Sequence, residues 1–474
     1  MLKVIRRFFT AKQRQTPAKQ DVELESGRGW AGLEEWRLVA KYSVGPVEYY
    51  LYRDNSEGVR LTFKEPPEPG EAVVKEIIAG NIEPVGEGER YHAEKRMSGY
   101  GRLYPLIIDG HIEEIAFEGP GRGVSVIHSL VPGRWIDVDL KLGEDEANSL
   151  ALQLARKAGR SLSLAQPLAE GLTGEGHRVA VTFSREVSRF GSSFVIRKYP
   201  EKPVTMADLV ASRVLTPLQA AYLWLLVESQ QFIVVSGPMG SGKTTLLQAL
   251  AGLIPPFYRV ITIEDTPEIR LYNRHWDSLV TRPPLPGESM VEVDLEALLR
   301  FALRRRAEYI IVGEVRGREA RLLAQAAASG HGSMTTMHGD TPEGVILRLQ
   351  LEPISLPPVF LSLIGAIVML RRLPGYGGAV RRRVVSITEI EGGEAVDVFA
   401  WDPKGDLVSP DNPRDIVESS FRLREAVSRI PDLITDLEAE LSERAGLLEK
   451  LAGSPPEVFH KALARFYSER YGRV

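Results

Sequence analysis

The chain has 474 residues, 43% of them hydrophobic and 26% charged, a globular composition long enough for two or three domains. It contains no cysteine, which excludes disulfides, cysteine-ligated zinc, iron–sulfur clusters and thiol nucleophiles, so any catalysis runs on oxygen, nitrogen or bound metal. A net charge of −4 argues against a surface that embraces nucleic acid as a whole, while leaving room for a local basic pore.

Residues 1–30 read as a basic tail: "MLKVIRRFFTAKQRQTPAKQ" carries Lys3, Arg6, Arg7, Lys12, Arg14 and Lys19 without an acid, and lacks the apolar core of a signal peptide. Such an arm is either solvated or rests on an anionic membrane or acidic partner. Residues 31–198 read as an α/β amino-terminal domain in two subregions, about 31–90 and 91–198. In the first, "RLVAKYSV", "VEYYLYRD" and "VRLTFKE" predict a small antiparallel sheet, closed by "PPEPGEA" and a helix. In the second, "YPLIID", "GVSVIHS", "HRVAVTF" and "SSFVIRKY" predict strands around the amphipathic helix "EDEANSLALQLARKAG", whose leading acids and trailing bases suit the helix dipole.

A proline-rich linker is expected over 199–206. Beyond it, over 207–403, apolar strands alternate with helices. "FIVVSG", "RVITIED", "EYIIVGE" and "SMTTMH" predict buried parallel strands, and "AIVML", "RVVSITEI" and "AVDVFAWD" an antiparallel addition. Residues 404–474 are expected to be a helical carboxy-terminal region. The longest mostly apolar run, "VFLSLIGAIVML", is well short of the roughly 20 residues that span a bilayer, so a soluble chain is expected.

The chemistry starts at "FIVVSGPMGSGKTTLLQALAG", strand, glycine-rich loop and helix, which fits G-x-x-x-x-G-K-[ST]. Gly237, Gly240, Ser241 and Gly242 would turn backbone N–H groups onto phosphate oxygens. Lys243 would neutralise their charge, and Thr244, followed by Thr245, would ligate Mg²⁺. ATP and Mg²⁺ are the cofactors this loop calls for. A strand tip must then supply an acid. "EYIIVGEV" ends in Gly313-Glu314 where many P-loop enzymes show Asp followed by a second acid, which leaves Glu314 to polarise water. "ITIEDTPEIRL" places Glu264 and Asp265 at another strand tip, where the pair would complete the Mg²⁺ and water shell. "SGHGSMTTMH" sets His331 and His338 seven residues apart, on opposite faces if the segment is a strand, which disfavours a shared metal.

"GPMGSGKTT", "ITIEDTPEIRL", "LVTRPP", "LRRRAEYIIVGEVRGREA" and "AAASGHGSMTTMHGDT" follow one another at the spacing of the type II/IV secretion ATPase superfamily, and resemble its Walker A, Asp box, arginine segment, Walker B and His box. The resemblance is nearest to the archaeal branch that drives type IV pilus, archaellum and secretion assembly, and covers about residues 90–403. It implies a RecA-like motor domain behind the two-part amino-terminal domain, and a homohexamer at the cytoplasmic face of the membrane, acting on a polytopic platform protein. It implies Glu314 as catalytic glutamate, Glu264 and Asp265 as the Asp box, and His331 or His338 as a reporter of the γ-phosphate. Arg197 in "FVIRKY" would reach the nucleotide when the cleft between the domains closes, with Arg178, Arg282, Arg304 and Arg316 as further candidates. The chain departs from many bacterial relatives in lacking the four-cysteine zinc subdomain, so no zinc is expected. Two rivals stand beside this reading: a DNA translocase or conjugation ATPase using bases such as those of "RRLPGYGGAVRRRVV", and a nucleotide-gated scaffold without turnover. The net charge leaves nucleic acid the less expected partner.

Overall fold

The computed structural model describes residues 36–56, 58–131, 133–199, 202–282, 292–374, 380–430 and 434–472. The basic tail lies outside them. The chain forms two compact units that divide between residues 201 and 202, inside the segment expected to be a linker.

The first unit is built on one nine-stranded sheet. Its strands are β1 (Arg37–Val44), β2 (Val47–Arg53), β3 (Val59–Lys64), β4 (Ile112–Phe117), β5 (Val124–His128), β6 (Trp135–Val138), β7 (Leu168–Leu172), β8 (Arg178–Thr182) and β9 (Ser193–Arg197). They run in the order β1-β2-β3-β6-β5-β4-β9-β8-β7. Because β3 pairs in parallel with β6, one sheet and one core join the two expected subregions. Its helices are α1 (Glu71–Ala79), α2 (Glu87–Ser98), α3 (Tyr104–Ile108) and α4 (Glu144–Lys157). Helix α4 begins with Glu144, Asp145 and Glu146 and ends with Arg156 and Lys157, as its charge pattern predicts. Helix α3 corrects an expectation: "YPLII" is helical, since Pro105 lies in its first turn, where its fixed φ and missing N–H cost least.

The second unit begins with α5 (Met206–Ala211) and α6 (Pro217–Glu228), each entered through a capping box, Thr205 with Asp208 and Thr216 with Gln219. Strand β10 (Phe232–Ser236) leads to α7 (Lys243–Ala251). Then follow β11 (Val260–Glu264), β12 (Trp276–Val280), α8 (Leu295–Ala302), β13 (Tyr309–Glu314), α9 (Glu319–Ala328), β14 (Gly332–Met337), α10 (Pro342–Gln350), β15 (Ile364–Pro374), β16 (Val380–Glu391), β17 (Glu394–Asp402) and β18 (Leu407–Ser409). The sheet order is β12-β11-β13-β14-β10-β15-β16-β17-β18. The strands are buried on both sides: Ile233 and Val235 of β10 belong to one core, Phe232 and Val234 to the other.

One pairing differs from expectation. Strand β15, "AIVML" included, pairs in parallel with β10 and antiparallel only with β16, so the antiparallel addition begins at β16. The connection from β14 to β15, which flank β10, carries α10, and parallel strands of one sheet require such a crossover. Beyond β18 come α11 (Pro413–Ser419), α12 (Phe421–Arg429), α13 (Leu437–Lys450) and α14 (Pro456–Tyr471). They pack into the core of the second unit rather than forming an appendage. Trp224 Nε1 of α6 donates to Tyr467 Oη of α14 at 2.7 Å, and Arg444 of α13 makes a fully buried ion pair with Glu228 of α6. No helix among the described residues is long and apolar enough to cross a membrane.

Candidate functional site

Strands β10, β11, β13 and β14 are parallel, so their carboxy-terminal ends lie along one edge of the sheet, where a ligand site of an open α/β sheet belongs. From the end of β10 the chain turns through 237–242 into α7. Gly237, Gly240 and Gly242 take φ values of 152°, 72° and 97°, a region that glycine enters without penalty. A Cβ at Gly237 would fall 2.4 Å from the Leu370 carbonyl oxygen, so the loop also needs glycine for space. No side chain caps the amino terminus of α7, which leaves its first N–H groups directed at this loop.

Lys243, the first residue of α7, is buried. Its Nζ donates to the carbonyls of Gly237 and Pro238 at 3.0 and 3.1 Å and lies 3.4 Å from His338 Nδ1. Burial pulls its pKa below the usual lysine value, with Glu314 opposing. Thr244 is half-buried and Thr245 exposed. Ser241 Oγ is buried without a hydrogen-bond partner.

Glu314 closes β13, after a register irregularity between Val312 and Glu314. Its Oε2 accepts from Arg316 Nη2 at 2.7 Å. Its Oε1 lies 3.3 Å from His338 Nε2, out of hydrogen-bond alignment, and is buried without a partner. Burial pushes the Glu314 carboxyl up, but Arg316, His338 and Lys243 together hold it below the usual glutamate value. Burial, then the Lys243 charge, lower the pKa of His338, with Glu314 opposing.

Gly313 explains the departure from the Asp-then-acid pattern. A Cβ there would lie 3.2 Å from Glu264 Cγ, so the space is filled from β11 instead. Glu264 is itself corrected as half of an open acid pair. Its Oε1 accepts the backbone N–H of Glu268 and Ile269 at 2.9 and 3.0 Å, which fixes the turn after β11, and only Oε2 remains, buried and without a partner. Burial pushes this carboxyl up to about 7. Asp265 is exposed and accepts from Thr281 Oγ1 at 3.0 Å.

His331 is not brought to this site. It precedes β14, whereas His338 follows it, and six strand residues at about 3.3 Å each separate the two by roughly 20 Å. Its backbone N–H and ring Nδ1 both lie 3.1 Å from the Ala326 carbonyl at the end of α9. Arg304 sits in the turn that feeds β13 at its opposite end, and Arg282 forms a bridge with Val293. Arg316 meets the P-loop acid Glu314.

Arg197 belongs to the first unit, where it ends β9. It stands in register with Arg178 on β8 and Glu114 on β4, its Nε 3.5 Å from Glu114 Oε1, while Arg178 is paired with Glu170. Two arginines side by side repel, and the flanking carboxylates offset that cost.

From the sequence the hairpin arginines are expected only as bases of a DNA-translocating chain, not at the nucleotide loop. Arg382 of β16 donates from Nε to the Gly240 carbonyl at 3.3 Å. The signal was present: on a strand, Arg382 must face away from Arg381 and Arg383.

Among the described residues no group of three or more acids and histidines is arranged to hold a metal by itself. Mg²⁺ keeps several waters and binds through few protein oxygens plus phosphates. The Thr244 hydroxyl and the buried, unpartnered oxygens of Glu264 and Glu314 fit that demand.

Residues 173–367 match the family model described as Type II/IV secretion system protein. An uncharacterized protein of Methanocaldococcus jannaschii is 40% identical over 268 residues, which cover 55% of this chain and 96% of that one. A second from the same organism is 35% identical over 379 residues, covering 76% of this chain and 66% of its own length. The type IV secretion system protein PtlH of Bordetella pertussis is 32% identical over 277 residues, covering 51% of this chain and 80% of PtlH.

Proposed function

We propose that this chain, which belongs to the type II/IV secretion ATPase superfamily, binds ATP with Mg²⁺ at the 237–245 loop and hydrolyses it as a RecA-like motor. The observation that carries the reading is the meeting of Lys243, Glu314, Arg316 and His338 around a glycine-shaped loop, with buried acceptor oxygens left over. Lys243 exchanges the Gly237 and Pro238 carbonyls for phosphate oxygens. The Thr244 hydroxyl, with Glu264 and Asp265 through water, would hold the Mg²⁺, which supplies charge neutralisation at the phosphates.

Glu314 uses one oxygen to hold Arg316 and presents the other to the attacking water. Held ionised by its neighbours, it orients that water and accepts its proton as the bond to the γ-phosphorus forms and the bond to the bridging oxygen breaks. His338 spans Lys243 and Glu314, a place from which departure of the γ-phosphate would be felt. Arg197 is assigned the role of stabilising charge on the transferred group. We assign the product as mechanical work: a homohexamer at the cytoplasmic face of the membrane that drives a platform protein in pilus-like filament assembly or secretion.

A DNA translocase is the weaker reading. Arg381 and Arg383 are engaged by Asp406, whose carboxyl the hydrogen bonds of Arg383 and Trp401 pull down to about 2, rather than offered to a pore. The test is steady-state ATP hydrolysis at rising protein concentration, with mass measured in parallel. Turnover that grows with the hexamer fraction supports the reading. Full turnover by a monomer, or none in the hexamer, contradicts it.

A further inference from the structure

Strand β15 outruns its neighbour. Its register with β10 ends at Ser236–Met369, so Leu370, Arg371 and Arg372 continue past the β10 tip alongside the P-loop, and β16 returns beside them. Arg372 and Arg382 are register partners, so they share one face, while Arg381 and Arg383 share the other. The two faces are treated differently. On one, Asp406 accepts from Arg381 Nη1 at 3.4 Å and from Arg383 Nε and Nη2 at 2.9 and 2.8 Å.

The other face has the P-loop. A Cβ added at Gly242 would lie 3.2 Å from Arg382 Cδ, and one at Gly240 3.9 Å from Arg372 Nη1, so both side chains rest on the loop's glycines. Arg382 Nε donates to the Gly240 carbonyl at 3.3 Å, which fixes the guanidinium and leaves its Nη groups unengaged among the described residues. Cations held against a loop built to gather phosphate oxygens are placed to meet the ligand itself.

We infer that Arg372 and Arg382 form a phosphate-binding pair, carried by the β15–β16 hairpin, that meets the phosphate oxygens of a nucleoside di- or triphosphate in the P-loop. Arg382 is placed by its Nε bond and binds through Nη, and the hairpin senses nucleotide through the same two side chains. The inference rests on the reading of the loop as a nucleotide site and adds a second source of cations to it. It also gives the glycine at 242 a further reason beside its positive φ: a Cβ there would press on Arg382 Cδ.

The test is equilibrium binding of ADP, and of inorganic pyrophosphate as competitor, to the full chain and to Lys243→Ala, Arg372→Ala, Arg382→Ala, Arg382→Lys, Arg382→Gln and Arg381→Ala, with thermal unfolding of each. A charged hydrogen bond is worth roughly tenfold to a hundredfold in affinity. Arg382→Ala is expected to lose that much for both ligands, Arg372→Ala about tenfold, and Arg382→Lys to recover part of it. Arg381→Ala, on the Asp406 face, should stay within about twofold. Wild-type affinity in the doubly substituted Arg372→Ala, Arg382→Ala chain overturns the pair, as does full rescue by Arg382→Gln, which keeps a donor for Gly240 but no charge. If the wild type binds neither ligand, the nucleotide-site reading itself falls; if only Lys243→Ala loses binding, the site stands and the pair does not.

Discussion

Each unit has a cluster in which an acid meets a histidine, and the two clusters are finished differently. In the first unit, Tyr42 Oη donates to Asp109 Oδ2 at 2.6 Å and lies 2.7 Å from His128 Nε2. The Leu130 N–H reaches His128 Nδ1 at 3.2 Å, and the His111 N–H reaches Asp109 Oδ1 at 2.9 Å. Since Nδ1 accepts, Nε2 carries the proton and donates to Tyr42. All three side chains are buried and every polar atom has a partner. In the second unit, Ser241 Oγ, Glu264 Oε2 and Glu314 Oε1 are buried without one, around a half-buried histidine and a cation. The same residue types make a network in one place whose three central side chains satisfy one another, with only Nε2 of the adjoining His111 left over, and in the other an open one in which the acids and the serine keep unpartnered oxygens.

The contrast breaks first at Lys243. Lys243→Ala should weaken ATP binding by about a hundredfold or more in an equilibrium titration, because no other cation lies within the loop itself. A smaller loss would mean that the hairpin arginines carry more of the phosphate charge than the lysine does. Next come the two histidines. His338→Ala should lower kcat about tenfold with little change in affinity, and His331→Ala should leave both within about twofold, since it only meets the end of α9. Equal effects would erase the distinction between the two ends of β14.

In the closed cluster the expected change is in stability alone. Tyr42→Phe removes the hydroxyl that links Asp109 to His128 and should cost the first unit about 1–3 kcal/mol in chemical denaturation, with ATP binding intact. A loss of binding would make this network part of the site.

The pH dependence is a net of opposing effects. Burial lowers His128 to about 3 and His177 to about 4 in the folded unit. In the unfolded chain each takes a proton near pH 6.5. Their depressed values therefore contribute stability above pH 6.5 that is lost as pH falls toward 4, at up to about 1.4 kcal/mol per pH unit for each histidine. Buried Asp109 acts in the opposite sense, since a raised carboxyl loses stability as pH rises through its folded value. Denaturation midpoints at pH 7 and pH 5 check the net fall, which should shrink in His177→Gln.

The local parts of this molecule were legible in the sequence, and the non-local parts were not. The glycine-rich loop and Glu314 are set by consecutive residues and a strand tip, which a period-two reading finds. Pairing that joins distant segments stayed hidden: β15 beside β10, the edge strand β12, and the single sheet of the first unit. Within the site, Glu264 was visible as an acid, but not that it packs on Gly313 and spends one oxygen on a turn. His331 looked equivalent to His338 because spacing along a strand says nothing about which end bears the site. The arginines of the hairpin read as one basic run until the register split them between Asp406 and the P-loop.

The most direct measurement is single-turnover ATP hydrolysis beside equilibrium ATP binding in Glu314→Gln, with Asp109→Asn, an acid of the closed network, measured per folded molecule. Glu314→Gln should bind ATP as the wild type does and hydrolyse it at least about a hundredfold more slowly, while Asp109→Asn keeps wild-type turnover at reduced stability. Wild-type hydrolysis by Glu314→Gln would contradict the assignment of chemistry to the unpartnered acid.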